Sequence, residues 1–239
     1  MTAVKRFDMI AFDADDTLWE NEVNYRRTEQ IFKDLLTPYH DPAWIEERLF
    51  QTEMRNMQHF GYGIKPFGLS MIETAIELTE GRVTGAEIQV ILDAIKRMLT
   101  APIELLPHVA EVIPALAGQV PLMLITKGDL LDQESKVRRS GLAGHFQHVE
   151  IVSDKTEQHY AGLLARHGIA PQRFLMVGNA LRSDILPVLA LGGGAVYIPH
   201  PLTWAHENGE SPLGNPGFYE LAHIGLLPEL IQKLEELTE

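Results

Sequence analysis

The sequence predicts an α/β protein, a Rossmann-like parallel-sheet core interrupted after its first strand by an inserted α-helical cap domain. Three observations predict it. A short apolar run at 7–12 ends abruptly in Asp13-Ala14-Asp15-Asp16-Thr17. From about Leu18 to Leu99, apolar residues recur at intervals of three and four, the helical period. After about Pro102, short apolar runs alternate with helical patterns, which implies parallel strands joined by right-handed crossovers.

The elements follow in order. The run 7–12 reads as the first strand. Helices are expected over 25–36, 43–60, 69–78 and 86–99, with breaks at Pro38/Pro42, at Gly61-Tyr62-Gly63 with Pro66, and at 81–85. Thr84 followed by Glu87 has the form of a capping box. Beyond Pro102, helices are expected over 109–116, 130–140, 156–167, 181–191 and 228–237. Strands are expected over 121–126, 148–153, 174–177 and 195–198. Gly141 and Gly168 stand where helices must stop, and Gly192-Gly193-Gly194 reads as a helix stop and tight turn. The Pro- and Gly-rich stretch 199–217 reads as a surface loop. The domain division is therefore 1–17 plus 101–239 for the core and 18–100 for the cap. A helical block in that place is a candidate lid over the end of the first strand.

Composition narrows the classes. The chain has 239 residues, 45% hydrophobic and 22% charged, as in an ordinary globular protein able to bury a large core. Twenty basic against 33 acidic residues give a net charge of −13. That argues against nucleic acid or an anionic membrane as partner. The absence of cysteine excludes a thiol nucleophile, a thiolate metal site and a disulfide framework, and it is compatible with a cytoplasmic protein. The opening segment lacks the form of a signal peptide, and no apolar run approaches the roughly 20 residues that span a bilayer.

In open parallel sheets, ligands bind outside the carboxyl ends of the strands. Asp13 and Asp15 follow the first run. Thr126, Lys127 and Gly128 follow the second, and Ser153, Asp154 and Lys155 the third. Asn179 and, one turn on, Asp184 follow the fourth. Together they offer carboxylates for a metal and a nucleophile, a hydroxyl donor and a lysine.

This ordered set resembles the haloacid dehalogenase-like hydrolase superfamily, most of whose members are phosphatases. Asp13, Asp15 and Thr17 match its Asp-x-Asp-x-Thr motif, Thr126 its strand-ending Ser or Thr, Lys155 its helix-opening Lys, and Asn179 with Asp184 its acidic pair. The helical block between the first two motifs resembles the family's inserted cap. The resemblance implies a Mg²⁺-dependent phosphatase acting on a small phosphorylated metabolite. Asp13 would be the nucleophile and Asp15 the acid/base. Thr126, Lys155, Lys127 and Gly128 would bind the phosphate. Mg²⁺ would be held by Asp13, Asp15 (through its backbone carbonyl), Asn179 and Asp184.

Two departures from the family pattern stand out. Lys127 replaces the usual Asn, and either adds positive charge at the phosphate or points to solvent. Asn179 replaces an acid. Its amide oxygen can coordinate Mg²⁺ but brings no charge, so weaker metal binding, greater dependence on Asp184 or lost activity are the alternatives. Asp16 is expected to cap or turn the loop, and Trp19 to pack at the cap hinge. Arg182 is expected in solvent or paired with an acid. No histidine is assigned chemistry. Met54, Met57 and Phe60 are expected to pack within the cap, and Tyr62 and Lys65 are the first candidates for specificity. Asp15 disfavours halide displacement, which needs no proton donor. A phosphosugar mutase and a catalytically weakened binding protein are the other readings. Either a monomer or a homodimer fits.

Overall fold

The computed structural model describes residues 6–237. In chain order its elements are β1 (Met9–Phe12), α1 (Glu22–Leu36), α2 (Pro42–Phe60), α3 (Ile64–Leu78), α4 (Gly85–Thr100), α5 (Val109–Ala117), β2 (Leu122–Lys127), α6 (Leu130–Arg139), β3 (His148–Val152), α7 (Glu157–His167), β4 (Phe174–Gly178), a π-helical turn (Leu181–Ile185) running into α8 (Leu186–Ala190), β5 (Gly194–Tyr197), β6 (Phe218–Glu220) and α9 (Leu227–Glu236). Two compact units result. One holds the described residues up to Glu22, Ile103–Thr126 and the described residues from Lys136 onward. The other holds Val23–Pro102 and Lys127–Ser135.

The first unit contains a six-stranded sheet in the order β3-β2-β1-β4-β5-β6. The pairs β1–β2, β1–β4, β4–β5 and β5–β6 are parallel. Strand order reverses at β1, between β2 and β4, which is where ligands bind in such sheets. Period-two alternation sorts the side chains. Ile10, Phe12, Leu122, Leu124, Leu175 and Val177 join one core with residues of α5 and α9. Met9, Ala11, Met123, Ile125, Phe174 and Met176 join the core on the other face, with Tyr160, Leu163 and Leu164 of α7. Burial on both faces explains why these strands read as continuous apolar runs.

The helical unit has its own core, including Phe32, Leu36, Ile45, Leu49, Phe67, Met71, Ala75, Ile91 and Ile95. Its breaks behave as the residue types require. The Asp41 carboxylate accepts the Trp44 N–H at 3.1 Å ahead of Pro42 at the start of α2, and Gly61 closes that helix at φ 71°. The expected capping box is present. Thr84 N donates to Glu87 Oε2 at 2.7 Å, and Glu87 N to Thr84 Oγ1 at 3.2 Å. Segment 127–135, read as core, groups instead with the helical unit, tied there by Lys65 Nζ to Asp129 Oδ1 at 2.8 Å.

Three elements differ from expectation: α3, expected from residue 69 after a break at Pro66, begins at Ile64 and takes Pro66 into its first turn. The expected helix at 181–191 opens as a π-helical turn rather than regular α-helix. A sixth strand, β6, follows the loop read over 199–217. Its three residues are too few to show a period. No helix among the described residues is long and apolar enough to cross a membrane.

The capping box gives a direct test. Thr84→Ala removes the acceptor for the Glu87 N–H and is expected to cost about 1 kcal/mol. Urea unfolding followed by helix circular dichroism measures it, and an unchanged midpoint would refute a capping role.

Candidate active site

The site begins where β1 stops. Asp13 N donates to Val177 O at 2.9 Å, extending the β1–β4 ladder by one residue and setting the Asp13 side chain at the carboxyl ends of both strands. The chain then turns sharply. Leu18 N donates to Ala14 O at 2.8 Å, and Asp16 takes the left-handed conformation at φ 61°. The Asp16 carboxylate accepts the N–H groups of Asn21 and Glu22 at 2.8 and 3.0 Å, fixing the start of α1, as its expected capping role requires. Burial nevertheless pushes Asp16 up to about 7.

Lys155 enters from the end of β3, just before Thr156 caps α7. Its ammonium lies 2.5 Å from Asp13 Oδ1 and 2.8 Å from Asp184 Oδ1, with all three side chains buried. Burial opposes the Lys155 charge, but the carboxylates of Asp13 and Asp184 more than offset it, and its proton is held well above the ordinary lysine range. Burial pushes Asp184 up to about 7, against the pull of Lys155.

Asp184 is oriented by the π-helical turn, which lets the Ala180 N–H donate to its Oδ2 at 3.1 Å. A β-carbon at Gly178 would lie 2.2 Å from that same oxygen, so only glycine allows the strand end to approach so closely. Thr17 and Asn179 close this side of the pocket. The Asn179 N–H donates to Thr17 Oγ1 at 3.2 Å, and that hydroxyl faces both Asp13 Oδ2 at 3.0 Å and Asn179 Oδ1 at 3.1 Å. One hydroxyl proton serves one acceptor at a time.

Asp15 is held separately. Its Oδ1 accepts the indole N–H of the fully buried Trp19 at 2.7 Å, and Lys136 Nζ reaches Oδ1 and Oδ2 at 3.1 and 2.9 Å. The residue expected to pack at a hinge thus bonds a candidate catalytic carboxylate. Thr126 is buried at the end of β2, two residues beyond Leu124, the register partner of Phe12.

Asp13, Thr17, Lys155, Asn179 and Asp184 are therefore joined by direct hydrogen bonds. Lys127 and Gly128 group with the helical unit. There the Lys127 ammonium lies 4.2 Å from the centre of the Tyr62 ring, while Lys65 is paired with Asp129. Arg182 is exposed and donates to the His206 carbonyl at 3.4 Å.

Three buried residues were missed by the sequence reading: Lys136, Tyr160 and Glu207. The Tyr160 hydroxyl has no hydrogen-bond partner among the described residues. Burial, and the nearby charges of Asp184, Asp13 and Glu207, hold its proton well above the ordinary tyrosine range despite Lys155. The signal for Lys136 lay in α6, where Gln133, Lys136 and Val137 are buried while Leu130 and Leu131 are exposed. A helix with so few apolar residues on its inner face must bury polar ones.

The donor set fits a hard divalent cation. It is all oxygen: the Asp13 and Asp184 carboxylates, Asn179 Oδ1 and the Asp15 main-chain carbonyl. Two buried carboxylates share one ammonium there.

The model of the haloacid dehalogenase-like hydrolases matches residues 7–192. The chain belongs to that family. A haloacid dehalogenase-like family hydrolase from Xanthomonas campestris superposes with a TM-score of 0.87 at 39% identity, covering 98% of this chain and 94% of that one. A putative hydrolase of the family from Bacillus subtilis, crystallised with magnesium, superposes with a TM-score of 0.66 at 16% identity, covering 95% of this chain and 100% of that one. N-acylneuraminate-9-phosphatase from Mus musculus is 25% identical over 259 residues, covering 97% of this chain and 96% of its own. As a member of the haloacid dehalogenase-like hydrolases, the chain carries the family's sheet with its helical insertion between β1 and β2.

The buried ammonium can be tested by removal. Lys155→Met leaves Asp13 and Asp184 facing each other without compensation and is expected to cost about 3–5 kcal/mol in the metal-free protein. Urea unfolding at pH 8, above the value to which burial pushes Asp184 in the wild-type protein, measures it. A loss under about 1 kcal/mol would show that the pair does not need the lysine.

Proposed function

We propose that the protein is a Mg²⁺-dependent phosphatase that hydrolyses a small phosphorylated metabolite, with phosphosugars the first class to test. The observation that carries this reading is the Asp13 carboxylate, held at the strand end by Lys155 and Thr17, with Asp15 two residues away.

In this mechanism an Asp13 carboxylate oxygen attacks phosphorus while the bond to the leaving oxygen breaks. Asp15 delivers a proton to that oxygen. The aspartyl-phosphate is then hydrolysed by water, whose proton passes to Asp15, restoring both residues and releasing phosphate. Thr126 donates to a phosphoryl oxygen and Lys155 balances its charge. The N–H groups of Lys127 and Gly128, which follow Thr126 in the chain, join them in binding phosphate. Asp13, the Asp15 carbonyl, Asn179 and Asp184 would hold Mg²⁺, which when bound draws charge off the phosphoryl group.

Three lines support the reading. The donor set suits Mg²⁺, and a family member was crystallised with that ion. Asp15 supplies the proton donor that halide displacement does not need. Relatives covering nearly the whole chain are named for removing a phosphate from a sugar acid. Asn179 favours a second reading, a catalytically weakened binding protein on the same fold. We assign substrate selection to the helical insertion, with Tyr62 and Lys65 as first candidates.

Phosphate release across a panel of phosphorylated metabolites, with N-acylneuraminate 9-phosphate included, tests the proposal. Release is expected only with Mg²⁺, and Asp13→Asn is expected to reduce it more than about 10³-fold while the protein stays folded. Appreciable turnover in that variant would remove Asp13 from the nucleophile role. Silence of the folded wild-type protein across the panel would favour the binding-protein reading.

Isothermal titration with Mg²⁺ tests the metal assignment separately. Asp184→Ala is expected to weaken binding at least about tenfold. Unchanged affinity would exclude Asp184 as a ligand.

A further inference from the structure

We propose that Lys136 is a positioning residue for Asp15, holding its carboxylate in the orientation that the acid/base role needs. The inference rests on the reading of Asp15 as the acid/base.

Lys136 is 6% exposed, and a lysine is rarely so buried unless its charge is paired. Its ammonium reaches both Asp15 oxygens, at 3.1 and 2.9 Å, and Asn21 Oδ1 at 2.8 Å. Trp19 donates to Asp15 Oδ1 from its own fully buried position. The carboxylate is thus gripped by an ammonium and an indole, and the ammonium is anchored in turn by an amide. Such a grip fixes the rotamer, which a proton donor needs if its oxygen is to meet the leaving group within hydrogen-bond reach.

This role has a signature that a purely structural one lacks. Loss of help to a proton donor hurts substrates whose leaving group needs the proton and spares those whose leaving group departs as a stable anion. The experiment compares wild type, Lys136→Met and Asn21→Ala on an alkyl phosphate that the wild type turns over and on 4-nitrophenyl phosphate, with Mg²⁺. Lys136→Met is expected to lower kcat/KM, which reports the step that expels the leaving group, roughly 100-fold on the alkyl ester and less than about tenfold on the aryl ester. Asn21→Ala is expected to show the same selectivity with a smaller loss.

Equal losses on both esters, or no loss, would overturn the inference. If Lys136→Met does not fold, Asn21→Ala decides alone. A loss confined to the alkyl ester supports the role, and an equal loss or none refutes it. Wild-type protein that turns over no alkyl phosphate of the panel and releases nothing from 4-nitrophenyl phosphate would refute the phosphatase reading itself, and the inference with it.

Discussion

The buried ammonium of Lys155 is the constraint on which the site depends. Asp13 and Asp184 arrive from different strands, β1 and β4, yet end within hydrogen-bond reach of one nitrogen. Two carboxylates brought together in a dry pocket repel each other strongly, and each also loses its hydration. Without the lysine, the ends of β1 and β4 could not both carry an acid. With it, the pair becomes a stable feature of the sheet's switch point. The surrounding details follow from that demand. Thr156 caps the helix that follows Lys155, Gly178 yields space to Asp184, and the π-helical turn aims an N–H at the remaining oxygen.

The same logic bears on the protein's overall charge. At −13, the chain as a whole repels a phosphorylated ligand. Attraction must therefore be local, and the two buried lysines of the first unit are spent on its catalytic candidates: Lys155 on Asp13 and Asp184, Lys136 on Asp15. On the proposed reading, net positive potential at the strand ends calls for a further cation, which Asp13, Asn179 and Asp184 would hold.

Much of this was legible in the sequence, for identifiable reasons. Strands buried on both faces leave continuous apolar runs, so β1, β2, β4 and β5 were visible, and β1, β2 and β4 were each followed by a candidate site residue. The family-like set Asp13, Thr17, Lys155, Asn179 and Asp184 was readable because ligands gather at strand ends. Lys136 was not, because its importance depends on which face of α6 turns inward, and that face carries no apolar stripe to declare it. Tyr160 and Glu207 were hidden for a related reason. Their proximity to Asp184 is set by tertiary approach of α7 and of the 199–217 loop, which no local period encodes. The π-helical turn escaped because its sequence, Leu-Arg-Ser-Asp-Ile, has an ordinary helical pattern, and only the demand of Asp184 for the Ala180 N–H selects the wider turn.

Asn179, the one departure from an acid in the site, finds an electrostatic reason here. Its amide oxygen shares the Thr17 hydroxyl with Asp13 Oδ2. An aspartate in its place would put a third carboxylate beside two that already share one ammonium. Asp13 and Asp184 already share the Lys155 ammonium, so a further carboxylate would add uncompensated negative charge. An amide keeps an oxygen at that corner and adds no charge. On the proposed reading, the amide leaves Asp13 and Asp184 as the charged residues that would hold the cation.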